Sequence, residues 1–200
     1  MESRLHMLIA KMKELEKELA REIQKKEEEY YYKIFGRTVT FEEWIKHEQK
    51  ALVMKIIPFI RESTWPVILS APVVWAVLPA AMLFDLMFTV YQAVCFSIYG
   101  IPKVKRGDYF LFDRRVLAYL NSIEKINCRY CAYVNGLLAY TQEIAGRTEQ
   151  YWCPIKHARK MTTLHSRYIK FLEFGDGAGY REHIETVRRD FEDMKEPDAG

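Results

Sequence analysis

The residue types that could do chemistry are concentrated in the C-terminal half of the chain. Cys128 and Cys131 are separated by two residues, and Cys153 and His157 are separated by three. Two thiols at the first spacing can reach one ion from a turn or a helix start, and residues four positions apart share one face of a helix. Three thiolates and one imidazole are the ligand set of a closed tetrahedral zinc site. The pattern therefore predicts a structural zinc site with the ligands Cys128, Cys131, Cys153 and His157.

The same four residues are also compatible with other chemistry. Three cysteines and one histidine can hold an iron–sulfur cluster, which is the alternative cofactor. Cys128 and Cys131 could instead form a reactive thiol pair, or the cysteines could be reduced residues of the core without a metal. Zinc is favoured because two half-sites with ligand spacing are less common by chance than one cysteine pair.

A catalytic zinc would need an open coordination position and a general base. Glu143 and Glu149 flank the second half-site, and His165 follows eight residues after His157. The simpler interpretation is that these carboxylates form ion pairs with Arg147 and Arg159 that position the loop. The sequence therefore favours a protein that is not an enzyme.

A mainly α-helical fold is predicted around the ligands. Helical patterns cover four C-terminal segments, 114–126, 130–146, 154–170 and 178–194. Proline favours the first helical position, so Pro154 predicts Cys153 as an N-cap whose thiolate is stabilised by the helix dipole. The helix over 130–146 and a return loop would then bring the two half-sites together.

A strongly apolar segment, Trp65–Ile101, precedes this domain and carries one charged residue, Asp85. One bilayer crossing needs about 20 residues, so the segment is long for one upright helix and short for two spans with a turn. Lysines and arginines flank it on both sides, which predicts that both termini are cytoplasmic. We therefore predict a hairpin or re-entrant segment in the inner membrane, with Asp85 near its tip. A buried hairpin in a large soluble complex is the alternative.

The N-terminal part is predicted to form amphipathic helices. Over residues 1–33, an apolar stripe with steps of three and four residues is typical of a helix that packs on its own domain or pairs with another chain. The stripe consists of Leu5, Leu8, Met12, Leu15 and Leu19. A capping box from Thr40 to Glu43 predicts the start of a second, basic helix that suits a membrane surface. The predicted partners are thus the lipid bilayer and a protein partner or second copy bound through the N-terminal helix.

The charge balance argues against nucleic acid as a partner. Lys and Arg total 30, Asp and Glu total 27, and a net charge of +3 is too small for a nucleic-acid surface. The N-terminus shows no signal peptide, and four cysteines do not form the dense pattern of a secreted disulfide scaffold. These features divide the chain into N-terminal helices (1–63), a membrane segment (64–102) and a helical metal-binding domain (103–200).

Two stretches around the candidate ligands, residues 126–136 and 143–158, resemble a family of uncharacterised bacterial membrane-associated proteins. The resemblance covers about residues 80–190 and rests on the Cys-x2-Cys and Cys-Pro-Ile-Lys-His motifs. It implies a bacterial source and a single unit of membrane segment and Cys/His domain, but no activity. We therefore expect a membrane-anchored zinc protein that acts as an accessory or scaffold subunit at the cytoplasmic face. A membrane-associated redox protein is the alternative.

Overall fold

The computed structural model describes residues 2–194, except for the side chains of residues 2–10, 12 and 13. The fold is mainly helical, which confirms the predicted class. In chain order the elements are α1 (Glu2–Tyr30), β1 (Tyr32–Phe35), β2 (Thr38–Phe41), α2 (Glu43–Ala51), α3 (Ile56–Glu62), α4 (Trp65–Tyr91), α5 (Ser97–Tyr99), α6 (Ser122–Trp152) and α7 (Gly177–Val187). A π-helical turn, Gln92–Phe96, joins α4 to α5. Short 3₁₀ turns lie at Arg106–Asp108, Asp113–Val116, Ser166–Lys170 and Glu192–Met194.

The described chain forms two compact units. The first unit contains the residues up to Thr64 together with Phe112–Arg129, and the second contains Trp65–Leu111 together with the residues from Tyr130 onwards. This division differs from the predicted one because Phe112–Arg129 packs with the N-terminal residues. The first unit is therefore built from chain on both sides of the apolar segment.

A β-hairpin in the first unit replaces the end of the first predicted helix and the predicted capping box. β1 and β2 pair antiparallel, with Lys33 opposite Thr40, around a turn in which Gly36 has a φ of 59°. The capping box is wrong because Thr40 belongs to β2, and α2 instead begins after Glu42, whose side chain makes no cap hydrogen bond. The aromatic and β-branched residues on both sides of the glycine turn favour strands over a helix start.

Chain from before and after the apolar segment meets within the first unit. The backbone N–H of Ala118 donates to the Gln49 side-chain oxygen over 3.1 Å. β2 also packs against the 3₁₀ turn Asp113–Val116. Both flanks of the apolar segment therefore belong to one folded body.

The apolar segment of the second unit is one continuous helix, Trp65–Tyr99, which is 35 residues long and apolar enough to span a membrane. The predicted hairpin is therefore wrong. The residues between Pro79 and Gly100 include no Gly, Pro or Asn to form a tight turn, so the helix continues through its middle. It ends where Gly100 adopts a φ of 68°. At 1.5 Å per residue the helix is about 50 Å long.

α6 lies beside this apolar helix and runs in the same direction. Tyr130 donates to the Val74 carbonyl, and further along the two helices Tyr140 accepts from Gln92. The chain between them returns along α6 and contributes the buried residues Ile101 and Val104. Together with Ala81, Phe96, Leu137, Tyr140, Ile144 and Phe191 they form the core of this unit.

The C-terminal segment is attached to α6 through Gln150 and Arg167. Gln150 is fully buried and donates to the carbonyls of Val187 and Asp190, while its own oxygen accepts from Arg167. Arg167, which is 2% exposed, also pairs with Asp193 at 2.7 Å. The helix predicted over 178–194 is confirmed for its first part, because α7 ends at Val187. The helix predicted over 154–170 is wrong, since this segment is irregular apart from the 3₁₀ turn Ser166–Lys170.

Candidate functional site

The four predicted zinc ligands lie in two separate places. Cys128 and Cys131 are on α6, whereas Cys153 and His157 follow the end of that helix. At 1.5 Å per residue, Cys131 is about 30 Å from the end of α6. Two sulfur ligands of one zinc ion can be at most about 4.6 Å apart, because each Zn–S bond is about 2.3 Å. This arrangement of α6 therefore does not bring the four ligands, or the three cysteines of an iron–sulfur cluster, to one point.

The separation arises because α6 does not end at residue 146, where the sequence predicted a return loop. An ion pair between Glu143 and Arg147, at 2.9 Å and one helical turn apart, stabilises the helix across this point. Arg147 also donates to the carbonyl of Pro102, and Ser166 donates to the second oxygen of Glu143. The predicted ion pairing of Glu143 and Arg147 is thus confirmed.

Cys153 lies at the C-terminal end of α6, whereas the sequence predicted it at the N-terminal end of a following helix. Its backbone N–H donates to the carbonyl of Glu149 over 2.7 Å, which continues the last turn of α6. The predicted N-cap is therefore wrong, and the negative end of the helix dipole faces Cys153, which favours a nearby cation over a bare thiolate. Zinc and iron–sulfur binding by the predicted set stay predictions that metal analysis tests.

Two histidines meet one carboxylate at this end of α6. His165 Nε2 lies 3.0 Å from Glu149 Oε2, and His157 Nε2 lies 4.0 Å from Glu149 Oε1. Tyr168 is next to both histidines: its ring stacks on His157, and its hydroxyl accepts from the His157 backbone N–H over 2.8 Å. In the sequence, Glu149 and His165 are candidates only because they lie close to Cys153 and His157, and nothing in their spacing predicts the hydrogen bond between them.

His165 is held in one position by close packing. Its side chain is 8% exposed and packs on Phe171, with ring centroids 5.2 Å apart. A Cβ atom at Gly146 would lie 2.6 Å from His165 Nδ1, so only glycine allows the ring this close to α6. Nδ1 is buried without a hydrogen-bond partner. Because a buried N–H without an acceptor is costly, the proton of the neutral ring belongs on Nε2, which donates to Glu149.

A second polar cluster surrounds Asp85, on the side of the apolar helix that packs against α6. Asp85 is 9% exposed. Both oxygens of its carboxylate accept from the guanidinium of Arg106, and the contact between Nη2 and Oδ2 is 2.7 Å. Tyr133 donates to the same carboxylate over 2.9 Å, and Thr89 over 3.3 Å. The predicted position of Asp85 at a hairpin tip is wrong, because the residue pairs inward with the following loop and with α6. The sequence carries no signal that links it to Arg106, 21 positions later.

The burial around this cluster affects the tyrosine. Desolvation, together with the hydrogen bond to Asp85, raises the pKa of Tyr133 to about 12. The phenol therefore stays a donor at neutral pH. Arg106 further lies over the ring of Phe110, 4.3 Å from its centroid. The guanidinium of Arg106 thus balances the negative charge of the Asp85 carboxylate. These contacts attach the loop that carries Arg106 to the apolar helix and to α6.

Comparison with models of protein families gave no match, and neither curated proteins nor solved structures gave a similar chain. The resemblance to bacterial membrane-associated proteins therefore stays a prediction. Among the described residues, no three Cys, His, Asp or Glu side chains converge on one point as they stand.

Proposed function

We propose that the protein is a membrane-bound accessory or scaffold protein that attaches to one face of a bilayer through the apolar helix Trp65–Tyr99. The observation that carries this proposal is the outward side of that helix, which is apolar and open along its whole length. Exposed fractions there are 65% for Leu69, 60% for Leu83, 61% for Met87 and 53% for Val94. Continuous apolar surface of this extent marks an interaction site rather than a face exposed to water.

Contacts in the first unit support attachment from one side instead of a crossing. Gln49 precedes the helix and Ala118 follows it, yet they are joined by a hydrogen bond of 3.1 Å. The chain after the helix returns along α6, so a helix that crossed the bilayer would require this irregular segment, which carries Lys103, Lys105 and Arg106, to cross back through the lipid. A helix lying in the interfacial plane keeps both flanks on one side, in agreement with the basic residues on both flanks. We assign that side to the cytoplasm of a bacterial cell, at the inner membrane.

The charged residues of the second unit also favour a helix in the plane. Asp85 lies near the middle of the apolar helix, where it pairs with Arg106 of the following loop. A charged residue at the bilayer centre costs about 2.5–3.5 kcal/mol even on the most permissive scale. Attachment along one face avoids this cost, while each apolar side chain that becomes fully buried contributes about 1.5–3 kcal/mol.

The scaffold part of the proposal rests on α1. Leu15 and Leu19 lie on this 29-residue helix and are 55% and 62% exposed. The other members of the predicted stripe, Leu5, Leu8 and Met12, have side chains outside the described ones. A solvent-exposed leucine pair at helical spacing supports binding of another helix, from a partner protein or a second copy. We propose no enzymatic activity for the protein.

Flotation of the full-length protein with vesicles of a neutral phospholipid tests the anchor. Replacing Leu83 and Met87 with glutamate should lower the membrane partition coefficient at least tenfold, because together they lose more than about 2 kcal/mol of apolar transfer energy. Ile169→Glu is the matched control, since Ile169 is 84% exposed but lies outside the apolar helix. The proposal fails if the wild type does not float, or if Ile169→Glu lowers binding as much as the double variant.

A further inference from the structure

The end of α6 carries a group of metal-ligand side chains that differs from the set suggested by the sequence. Glu149 belongs to the last turn, Cys153 continues that turn, and His157 follows in the next segment. All three belong to the second unit. We infer that Glu149, Cys153 and His157 bind a divalent transition-metal ion such as zinc, and that His165 positions the carboxylate. This inference goes beyond membrane attachment and does not depend on it.

The distance between Glu149 and His157 is the first argument. Oε1 and Nε2 are 4.0 Å apart, which is too long for a hydrogen bond. Zinc binds both oxygen and nitrogen ligands at about 2.0–2.2 Å. Two such ligands on one ion are therefore separated by up to about 4.2 Å. A tetrahedral site would place the two atoms about 3.4 Å apart, so they need to approach by about 0.6 Å, which rotation of the exposed His157 side chain allows.

The hydrogen bond between His165 and Glu149 is the second argument. His165 has no partner for Nδ1, so its Nε2–H donates to Glu149 Oε2. This bond holds one carboxylate oxygen and leaves Oε1 directed towards His157. Hydrogen bonds of this kind orient metal ligands, and their loss typically lowers metal affinity 10–100-fold. Gly146 permits the arrangement by leaving room for the imidazole ring.

Charge and access are the third argument. Glu149 and the Cys153 thiolate together balance the two positive charges of zinc, and the negative end of the α6 dipole adds to the attraction. Cys153 is exposed and His157 has 56% of its side chain exposed, so both can turn towards the carboxylate. Three protein ligands leave one coordination position for water or another ligand, as in zinc sites with an open position.

Titration of the full-length protein with Co²⁺, a coloured substitute for zinc, tests the inference. The expected result is one bound ion per chain, a thiolate-to-metal absorption band from Cys153, and competition by Zn²⁺. His157→Gln and Cys153→Ser should each weaken binding at least tenfold, and Cys153→Ser should remove the thiolate band. Both residues are exposed, so circular dichroism should show an unchanged fold.

Two controls separate this site from other histidines and from the predicted four-ligand set. His183 lies 3.9 Å from Glu182, but the sequence has no cysteine within four positions of either residue, so His183→Gln should bind Co²⁺ normally. Cys131→Ser should also bind normally. For the positioning role, His165→Gln keeps an N–H donor and should bind more tightly than His165→Leu, with the thiolate band retained in both.

The inference is overturned if the wild type binds no Co²⁺. It is also overturned if Cys131→Ser abolishes binding while His157→Gln does not. Neither result would bear on the flotation test, which measures the apolar helix alone.

Discussion

Replacing Gly136 by alanine tests whether the chain after the apolar helix packs directly on α6. At an open position in a helix, alanine is more favourable than glycine by about 1 kcal/mol. At Gly136, however, the new Cβ would lie 2.8 Å from the carbonyl oxygen of Tyr109 and 3.2 Å from the Cα of Phe110. Optimal contacts between carbon atoms are about 3.5–4.0 Å, and both neighbours are backbone atoms that cannot move by a change of rotamer.

The segment that contains Tyr109 and Phe110 would therefore have to shift away from α6. Overpacking of this kind costs typically 1–3 kcal/mol, and the backbone contacts put Gly136 at the upper end of that range. After subtraction of the gain in helix propensity, Gly136→Ala should lower the free energy of unfolding by about 1–2 kcal/mol.

Urea unfolding in a mild detergent, followed by circular dichroism, measures this difference. Ala139→Gly calibrates the helix propensity, because Ala139 is exposed on the same helix, and it should cost about 1 kcal/mol. If Gly136→Ala is instead more stable than the wild type by the amount that Ala139→Gly loses, Tyr109 and Phe110 do not pack on α6 as described.

Three further predictions concern polar contacts of the second unit. The hydrogen bond from Arg167, and to a smaller extent the one from Lys170, holds the pKa of Asp193 well below its usual range. Asp193→Asn should lower the free energy of unfolding at pH 7 by only about 1 kcal/mol, because solvent screens the half-exposed carboxylate. A lowered pKa gives stability that is present above the unfolded value of about 3.9 and is lost as the pH falls through the lower folded value. The difference in unfolding free energy between wild type and variant should therefore begin to shrink near pH 4 and continue to shrink at lower pH, and a pH-independent difference would contradict the pairing. The pKa of Tyr133 is raised to about 12, so its contribution to stability is present below the unfolded pKa of about 10 and is lost as the pH rises towards the folded value. In an ultraviolet titration, Tyr133→Phe should therefore remove one tyrosine from the late-ionising group, and an unchanged late part of the curve would argue against the contact with Asp85. Gln92→Leu removes the side-chain oxygen that accepts from the Val104 N–H over 2.6 Å, and it should lower the free energy of unfolding by about 1–3 kcal/mol in the same assay. An unchanged free energy of unfolding would mean that Gln92 does not hold the loop around Val104.

The sequence predicts the local elements better than their ends. The apolar content of Trp65–Ile101 and the periodicity of 130–146 are visible from composition and spacing, and both segments are helical. The hairpin and the return loop are wrong because flank charges and ligand spacing say nothing about where backbone turns are possible. The residues after Pro79 offer no turn until Gly100, and Glu143 with Arg147 stabilises α6 across its expected end.

The candidate site follows a similar pattern. The spacing of Cys153 and His157 marks them as candidate ligands, but their partners depend on tertiary contacts between residues that are far apart in the chain. Glu149 reaches His165 across 16 positions, and Asp85 reaches Arg106 across 21. Pairs of this kind leave no periodic signal in a single sequence.

The central claim is that the apolar helix lies along one face of a membrane without crossing it. Spin labels on single cysteines at Leu69, Leu83 and Val94, in a background without the native cysteines, measure the depth of the helix in phospholipid vesicles. An in-plane helix predicts similar, shallow depths of about 5–10 Å at all three positions. A label at Leu83 near the bilayer centre, with the other two positions much closer to opposite surfaces, would contradict the account.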